Sequence, residues 1–143
     1  MDGLKELIEY GILGLLGVMS VVSLAYGIER WLTYKQIEPS DFDHRNDFEI
    51  ALTKNLTIIY TIGANAVYIG LLGTVLGIML TFSTLGQSDI VDAKSVMSSL
   101  SYTLIATAAG LLVAIPAMVI YNLLSRRVDV LLALWDRDHG HGA

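Results

Sequence analysis

The stretch YIGLLGTVLGIMLTF (68–82) sets three glycines and two threonines inside an otherwise apolar run. Glycine in a helix interior costs about 1 kcal/mol relative to alanine in water, so its recurrence calls for a physical reason. Ala66, Gly70, Gly73 and Gly77 follow one another at spacings of four, three and four, which puts all four on one helix face. A face without side chains lets a second backbone come close, and membrane helices associate in this way where water supplies no hydrophobic drive between them. Gly70, Gly73 and Gly77 are therefore read as helix-packing positions.

The surroundings of this stretch settle its solvent. The 143-residue chain is 54% apolar and 16% charged, with a mean hydropathy of +0.59. Its charges are gathered at a few places, leaving 19 uncharged residues between Glu9 and Glu29, 34 between Lys54 and Asp89, and 31 between Lys94 and Arg126. Only elements that satisfy their own backbone polar groups can cross lipid, so three such segments predict an all-α membrane protein with three transmembrane helices. A water-soluble bundle would need polar outer faces, and GILGLLGVMSVVSLAYGI (11–28) has almost none. That first segment is preceded by the acidic DGLKELIEY (2–10) and no cleavage site is evident, so it reads as a retained helix and not as a signal peptide.

The first helix is placed at about residues 5–33, with Trp31 and Tyr34 at the level of an aromatic belt. A mixed-charge connection over about 34–50 follows, with Pro39 in a turn and Ser40 or Asp41 available to cap the next helix. The second helix is placed at about 50–86, its start lying as early as 45, and the third at about 92–130. The 34 uncharged residues before Asp89 would span roughly 50 Å against a hydrocarbon core of about 30 Å, so the long helices must leave the lipid at one end. The short GQSD linker (86–89) makes the second and third helices antiparallel neighbours, and HGHGA (139–143) reads as a frayed tail.

Lysine and arginine set the expected orientation. Lys5 and Lys94 are two of the nine; the other seven are Arg30, Lys35, Arg45, Lys54, Arg126, Arg127 and Arg137, in the first connection and the C-terminal tail. The positive-inside rule then puts the N-terminus outside and the C-terminus in the cytoplasm, with the second and third helices extending into the cytoplasm. Arg126 and Arg127 are cytoplasmic-interface residues on this reading, suited to the negative end of the third helix.

Thr74 and Thr81 lie two turns apart beside the glycine face, and the third helix carries Ser99, Thr103 and Thr107 at spacings of four, followed by Gly110. A single threonine can satisfy itself on the carbonyl one turn earlier. Two stripes on antiparallel helices point instead to a polar seam or a pore lining, for which Thr74, Thr81, Thr103, Thr107 and Tyr102 are the candidates. Tyr102 is open to three readings: interface anchor, packing residue or seam hydroxyl. Pro116 removes one ladder hydrogen bond and is the expected helix kink. No ionisable side chain lies inside any of the three spans, although ion paths through lipid usually carry one.

Several classes fall away. The net charge of −5 argues against nucleic-acid binding, and the lack of cysteine excludes thiolate metal sites and disulfides. With no phosphate-binding loop, nucleophile–base pair or histidine pairing, neither an enzyme nor a cofactor or metal is expected. A secondary transporter would need a substrate site and usually internal repeats.

YIGLLGTVLGIMLTF (68–82) together with TLIATAAGLLVAIPAMVIYNLLSRRV (103–128) closely resembles the signatures of the ExbB/TolQ proton-channel family, related more distantly to the MotA-type flagellar stators. The resemblance covers most of residues 60–128 and is nearest to ExbB. It implies an inner-membrane homopentamer of Gram-negative bacteria whose pore encloses helices of an ExbD-like or TolR-like single-span partner. That partner's membrane aspartate takes up and releases protons, and the complex energises a TonB-like protein for import of siderophores, cobalamin or similar ligands. Thr74 stands at the family's first pore threonine and Thr107 at its second. Where many members have a glutamate five residues before the second threonine, this chain has Tyr102, so the partner aspartate would carry the proton alone. The connection over about 34–50 is shorter than in many ExbB proteins, and a large torque-generating insert of the stator kind is absent. The alternatives within this resemblance are a TolQ-like subunit for outer-membrane integrity and a non-conducting scaffold that assembles the partner.

Overall fold

A computed structural model describes residues 2–87 and 89–139. Helix α1 covers Asp2–Gln36; a 3-10 turn at Pro39–Asp41 leads to the short α2, Arg45–Thr53; α3 covers Leu56–Gly86 and α4 Ala93–His139. Ser88 of the GQSD linker and residues 140–143 of the tail lie outside the described residues. Helices α1, α3 and α4 are each long and apolar enough to cross a membrane. With 31 and 47 residues, α3 and α4 run about 46 and 70 Å, so both outreach a hydrocarbon core of about 30 Å.

The antiparallel pair α3–α4 is the centre of the bundle, and its contact is backbone on backbone. A Cβ on Gly70 would lie 2.6 Å from the Ala106 carbonyl oxygen, and one on Gly110 would lie 2.7 Å from that of Ala66. Gly73 faces Ala106 and Ile12, and Gly77 faces the Thr103 side chain. All four glycines are thus filled by a neighbour where a side chain would stand. Helix α1 packs along one flank of the pair. Ile12 reaches Gly73, Gly27 receives Ile120, and Leu16 joins Ile62, Ala66, Val113, Ala114 and Ala117 in a buried cluster.

The far end of the bundle resembles the core of a water-soluble protein. Tyr34, Phe48, Leu52, Leu56, Ile59, Leu124, Val128, Leu131 and Leu132 form one buried cluster drawn from all four helices. The connection before α2 is tied to α4 by Trp135, whose Nε1–H donates to the Phe42 carbonyl at 3.0 Å, and by the Arg45–Asp136 ion pair at 3.1 Å.

Three local features differ from the sequence reading. The helix expected from about 50 is two helices, parted at Asn55, which has φ 67° and ψ −1° in the left-handed region. Asparagine visits that region more readily than most residues, and the break separates α2 from α3. Ser40 and Asp41 are inside or at the end of the 3-10 turn, and the residue preceding α2 is His44, whose side chain makes no cap hydrogen bond. Finally, α4 continues to His139 because Val128, Leu131 and Leu132 recur at helical spacing and bury against α2 and α3. Pro116 lies within this unbroken α4 on its exposed side.

The break leaves the last carbonyls of α2 without helical partners, and α1 supplies them. The Arg30 guanidinium donates from Nη1 to the Ala51 carbonyl at 2.8 Å, and the Tyr34 hydroxyl donates to that of Leu52. Arg30 also donates through Nε and Nη2 to the two carboxylate oxygens of Glu29, each at 2.5 Å.

Two substitutions test this packing. Gly70→Ala is expected to lower thermal stability in detergent by about 1–3 kcal/mol through overpacking, whereas Gly14→Ala, with nothing within 4 Å of its Cβ, leaves it unchanged or slightly raised. Tyr34→Phe is expected to cost about 1–3 kcal/mol, the cost of leaving the buried Leu52 carbonyl unpaired, read by the same melting experiment.

Candidate functional site

The glycine contact brings the threonines together. Thr74 and Thr107 hydroxyls bond each other across α3 and α4, and the single proton of Thr74 Oγ1 has two carbonyl acceptors in reach, Gly70 at 3.3 Å and Thr103 at 3.4 Å. Two turns along, Thr81 Oγ1 lies 2.9 Å from the Gly77 carbonyl and 3.0 Å from Ser99 Oγ. Thr103 is 1% exposed and donates to the Ser99 carbonyl at 3.1 Å, its side chain seated against Gly77. Thr74, Thr81, Thr103, Thr107 and Ser99 therefore form one hydroxyl row inside the α3–α4 seam. Thr74, Thr81 and Thr103 each have a carbonyl of their own helix in reach, while Thr107 and Ser99 pair with a hydroxyl across the seam.

Helical geometry gives the row a direction. Taking Gly70 and Gly110 as the facing points, Gly73 and Ile120 are rotated toward α1, where they meet Ile12 and Gly27. At 100° per residue, Thr74 and Thr107 are rotated the opposite way, toward the side of the seam that α1 leaves uncovered. Leu71, Leu104 and Leu111 on that side are exposed in the protomer. Thr74 is buried and Thr107 partly buried, so Thr107 forms the rim of the row.

Tyr102 occupies a different place. It is 63% exposed and lines a cavity of about 690 Å³ with Glu9, Tyr10 and Ser98, on the α1 flank of α4 and not beside Thr107. Arg126 and Arg127 are exposed on α4 near the soluble-like core. Sequence reading did not single out Lys5, whose Nζ donates to Thr81 Oγ1 at 3.2 Å and to Ser99 Oγ at the end of the hydroxyl row. A lysine at a helix start gives no sequence signal of such a partner 76 or 94 residues away.

The seam therefore holds two hydroxyl pairs, Thr74–Thr107 and Thr81–Ser99, with Thr103 bonded to a backbone carbonyl between them. Residues 35–137 match the family model described as the MotA/TolQ/ExbB proton channel family. The chain belongs to that family. It is 50% identical over 136 residues to the "Putative biopolymer transport protein ExbB-like 2" of Helicobacter pylori strain ATCC 700392 / 26695, covering 95% of this chain and 91% of the relative. To the "Biopolymer transport protein ExbB" of Aquifex aeolicus it is 49% identical over 140 residues, covering 98% and 95%. A "Biopolymer transport protein ExbB" of Helicobacter pylori strain J99 is 47% identical over 131 residues, covering 92% and 90%. The short connection is thus accommodated in relatives of nearly the same length. As a member of a proton-channel and transport family, the chain is a multi-pass membrane protein with transport as its coarse function.

Because Thr74 keeps two carbonyl acceptors when its partner hydroxyl is gone, Thr107→Val is expected to cost no more than about 1.5 kcal/mol. Thermal melting of the detergent-solubilised variant, with unchanged helical circular dichroism, checks this.

Proposed function

We propose that this chain is the pore-forming subunit of an ExbB-type proton channel in the bacterial inner membrane, with its N-terminus periplasmic and its C-terminus cytoplasmic. Five copies would surround helices of an ExbD-like single-span partner, with the α3–α4 faces bearing Thr74 and Thr107 turned to the pore. Thr74 and Thr107 present their hydroxyls to the partner's membrane aspartate, and Thr81 and Thr103 continue the row. Work released by the proton gradient acts on a TonB-like protein and so on uptake of siderophores, cobalamin or similar ligands through outer-membrane receptors.

One observation carries this reading: the Thr74–Thr107 hydroxyl pair lies in the seam on the side that α1 leaves open. A hydroxyl beside a titrating aspartate stabilises its charged form mildly, whereas a fixed charge there would move its pKa strongly. The partner acid would thus remain able to gain and lose a proton. Each elementary charge moved through 100 mV supplies about 2.3 kcal/mol, so a few transfers suffice to rearrange a packed helix pair. Tyr102, on the α1 flank, supplies no second acid to the pore. The orientation rests on the distribution of Lys and Arg between the two ends.

The double variant Thr74→Val with Thr107→Val is expected to assemble with the partner, as read by native mass spectrometry, and to lose gradient-dependent siderophore uptake. Wild-type uptake in that variant would leave the chain as an assembly scaffold. Restored outer-membrane integrity in cells lacking TolQ, without restored siderophore uptake, would assign it to the TolQ-like role.

A further inference from the structure

Lys5 stands at a junction that its place on α1 alone does not explain. Its four-carbon stem runs from the first turns of α1 to the α3–α4 seam, where Nζ reaches Thr81 Oγ1 at 3.2 Å and Ser99 Oγ. Thr81 is buried, and the Thr103 hydroxyl, one turn along α4, donates to the Ser99 backbone carbonyl. On one side of Lys5 is the wide cavity of about 690 Å³ lined also by Glu6, Glu9, Asp92 and Lys94. On its other side is a smaller one, of about 190 Å³, lined by Leu80, Thr81, Val96 and Ser99. An ammonium thus occupies the end of a row that is otherwise neutral, behind an antechamber in which carboxylates outnumber cations.

A second observation bears on whether the ammonium can leave. Glu9 Oε1 is shielded from solvent and has no hydrogen-bond partner among the described residues. Lys5 and Glu9 are four residues apart on α1 and share a helix face, the spacing at which a lysine and a glutamate can pair. A change of side-chain rotamer, with no movement of the helix, would transfer the ammonium from the two hydroxyls to the carboxylate.

We infer that Lys5 is a charge-bearing plug for the end of the α3–α4 hydroxyl row beside the N-terminus of α1, seated on Thr81 and Ser99 when closed and drawn back to Glu9 when open. Closed, it fills the entrance and repels a small cation arriving from the antechamber, because like charges at close range in a partly buried site are weakly screened. Open, it leaves hydroxyl oxygens free to accept hydrogen bonds. This inference rests on the reading of the row as a proton path, but the entrance itself can be tested without proton flux.

The chain has no cysteine, so Thr103→Cys gives a single thiol one helical turn beyond Ser99. In nanodiscs, silver ion serves as a small cationic probe, and its entry is read as protection of the thiol from alkylation after denaturation. With Lys5 intact, protection is expected to be slow. Lys5→Met and Lys5→Gln are expected to speed it at least tenfold, Lys5→Arg to keep it slow, and Glu9→Gln to slow it further. Circular dichroism and gel-filtration profiles establish that the variants are folded. Slow protection in Lys5→Met would overturn the plug; slow protection in Lys5→Gln would overturn the part played by charge; and an unchanged rate in Glu9→Gln would overturn the part played by Glu9. The Thr74/Thr107 double variant tests the proton path separately, so either reading can fail while the other stands.

Discussion

The close approach of α3 and α4 at Gly70 and Gly110 is the contact on which the rest of the protomer depends. Each glycine lacks a Cβ at the point where the opposite helix presents a carbonyl oxygen, Ala106 for Gly70 and Ala66 for Gly110. The exchange is reciprocal, so backbone Cα–H groups face carbonyls on both sides, a weak but recurrent contact between packed helices. In lipid, apolar side chains gain little by leaving one hydrocarbon for another, and close backbone packing takes the place of hydrophobic burial. The short helix-to-helix separation is also what brings the threonine hydroxyls into reach. With larger residues at these positions, Thr74 and Thr107 could not meet, and each would bond only within its own helix.

That dependence explains why the polar row is made of hydroxyls. A threonine can satisfy itself on the carbonyl one turn earlier, as Thr81 does on Gly77, so it enters the bilayer at small cost. It can also reach across the seam, where measured interhelical polar contacts average about 0.6 kcal/mol. A charged group would require a buried partner and would fix the local field. Neutral hydroxyls leave the field to be set by whatever comes beside the seam, with Lys5 as the cation at the end formed by Thr81 and Ser99.

The legible part of the fold was the part written in periodicity. The recurrence of Ala66, Gly70, Gly73 and Gly77 announced a packing face, and the uncharged runs announced three spans, because both are properties of a single helix and its solvent. The break at Asn55 was hidden because the apolar pattern continues on both sides of it, and only a left-handed residue interrupts the ladder. The extension of α4 to His139 was readable in principle from Val128, Leu131 and Leu132, but charges at Arg126, Arg127 and Asp129 masked that stripe. The site divides in the same way. Thr74, Thr81, Thr103 and Thr107 could be placed on faces from spacing alone, whereas the flank taken by Tyr102 and the reach of Lys5 depend on where α1 lies. No short-range pattern encodes the docking of one helix against two others.

The two ends of α1 are held by different physics, and this sets where the protomer can move. At its C-terminal end, Arg30 and Tyr34 donate to carbonyls of α2, and Tyr34 is buried in a cluster drawn from four helices. Freeing that end would expose apolar side chains and leave buried carbonyls unpaired, two costs that add. At its N-terminal end, Lys5 offers hydrogen bonds to hydroxyls, while Leu4, Leu7 and Tyr10 are exposed. Regions with few buried apolar contacts and polar ties open at the lowest free energy. On these contacts the C-terminal end of α1 is the more firmly held of the two, tied by both buried apolar side chains and hydrogen bonds to backbone.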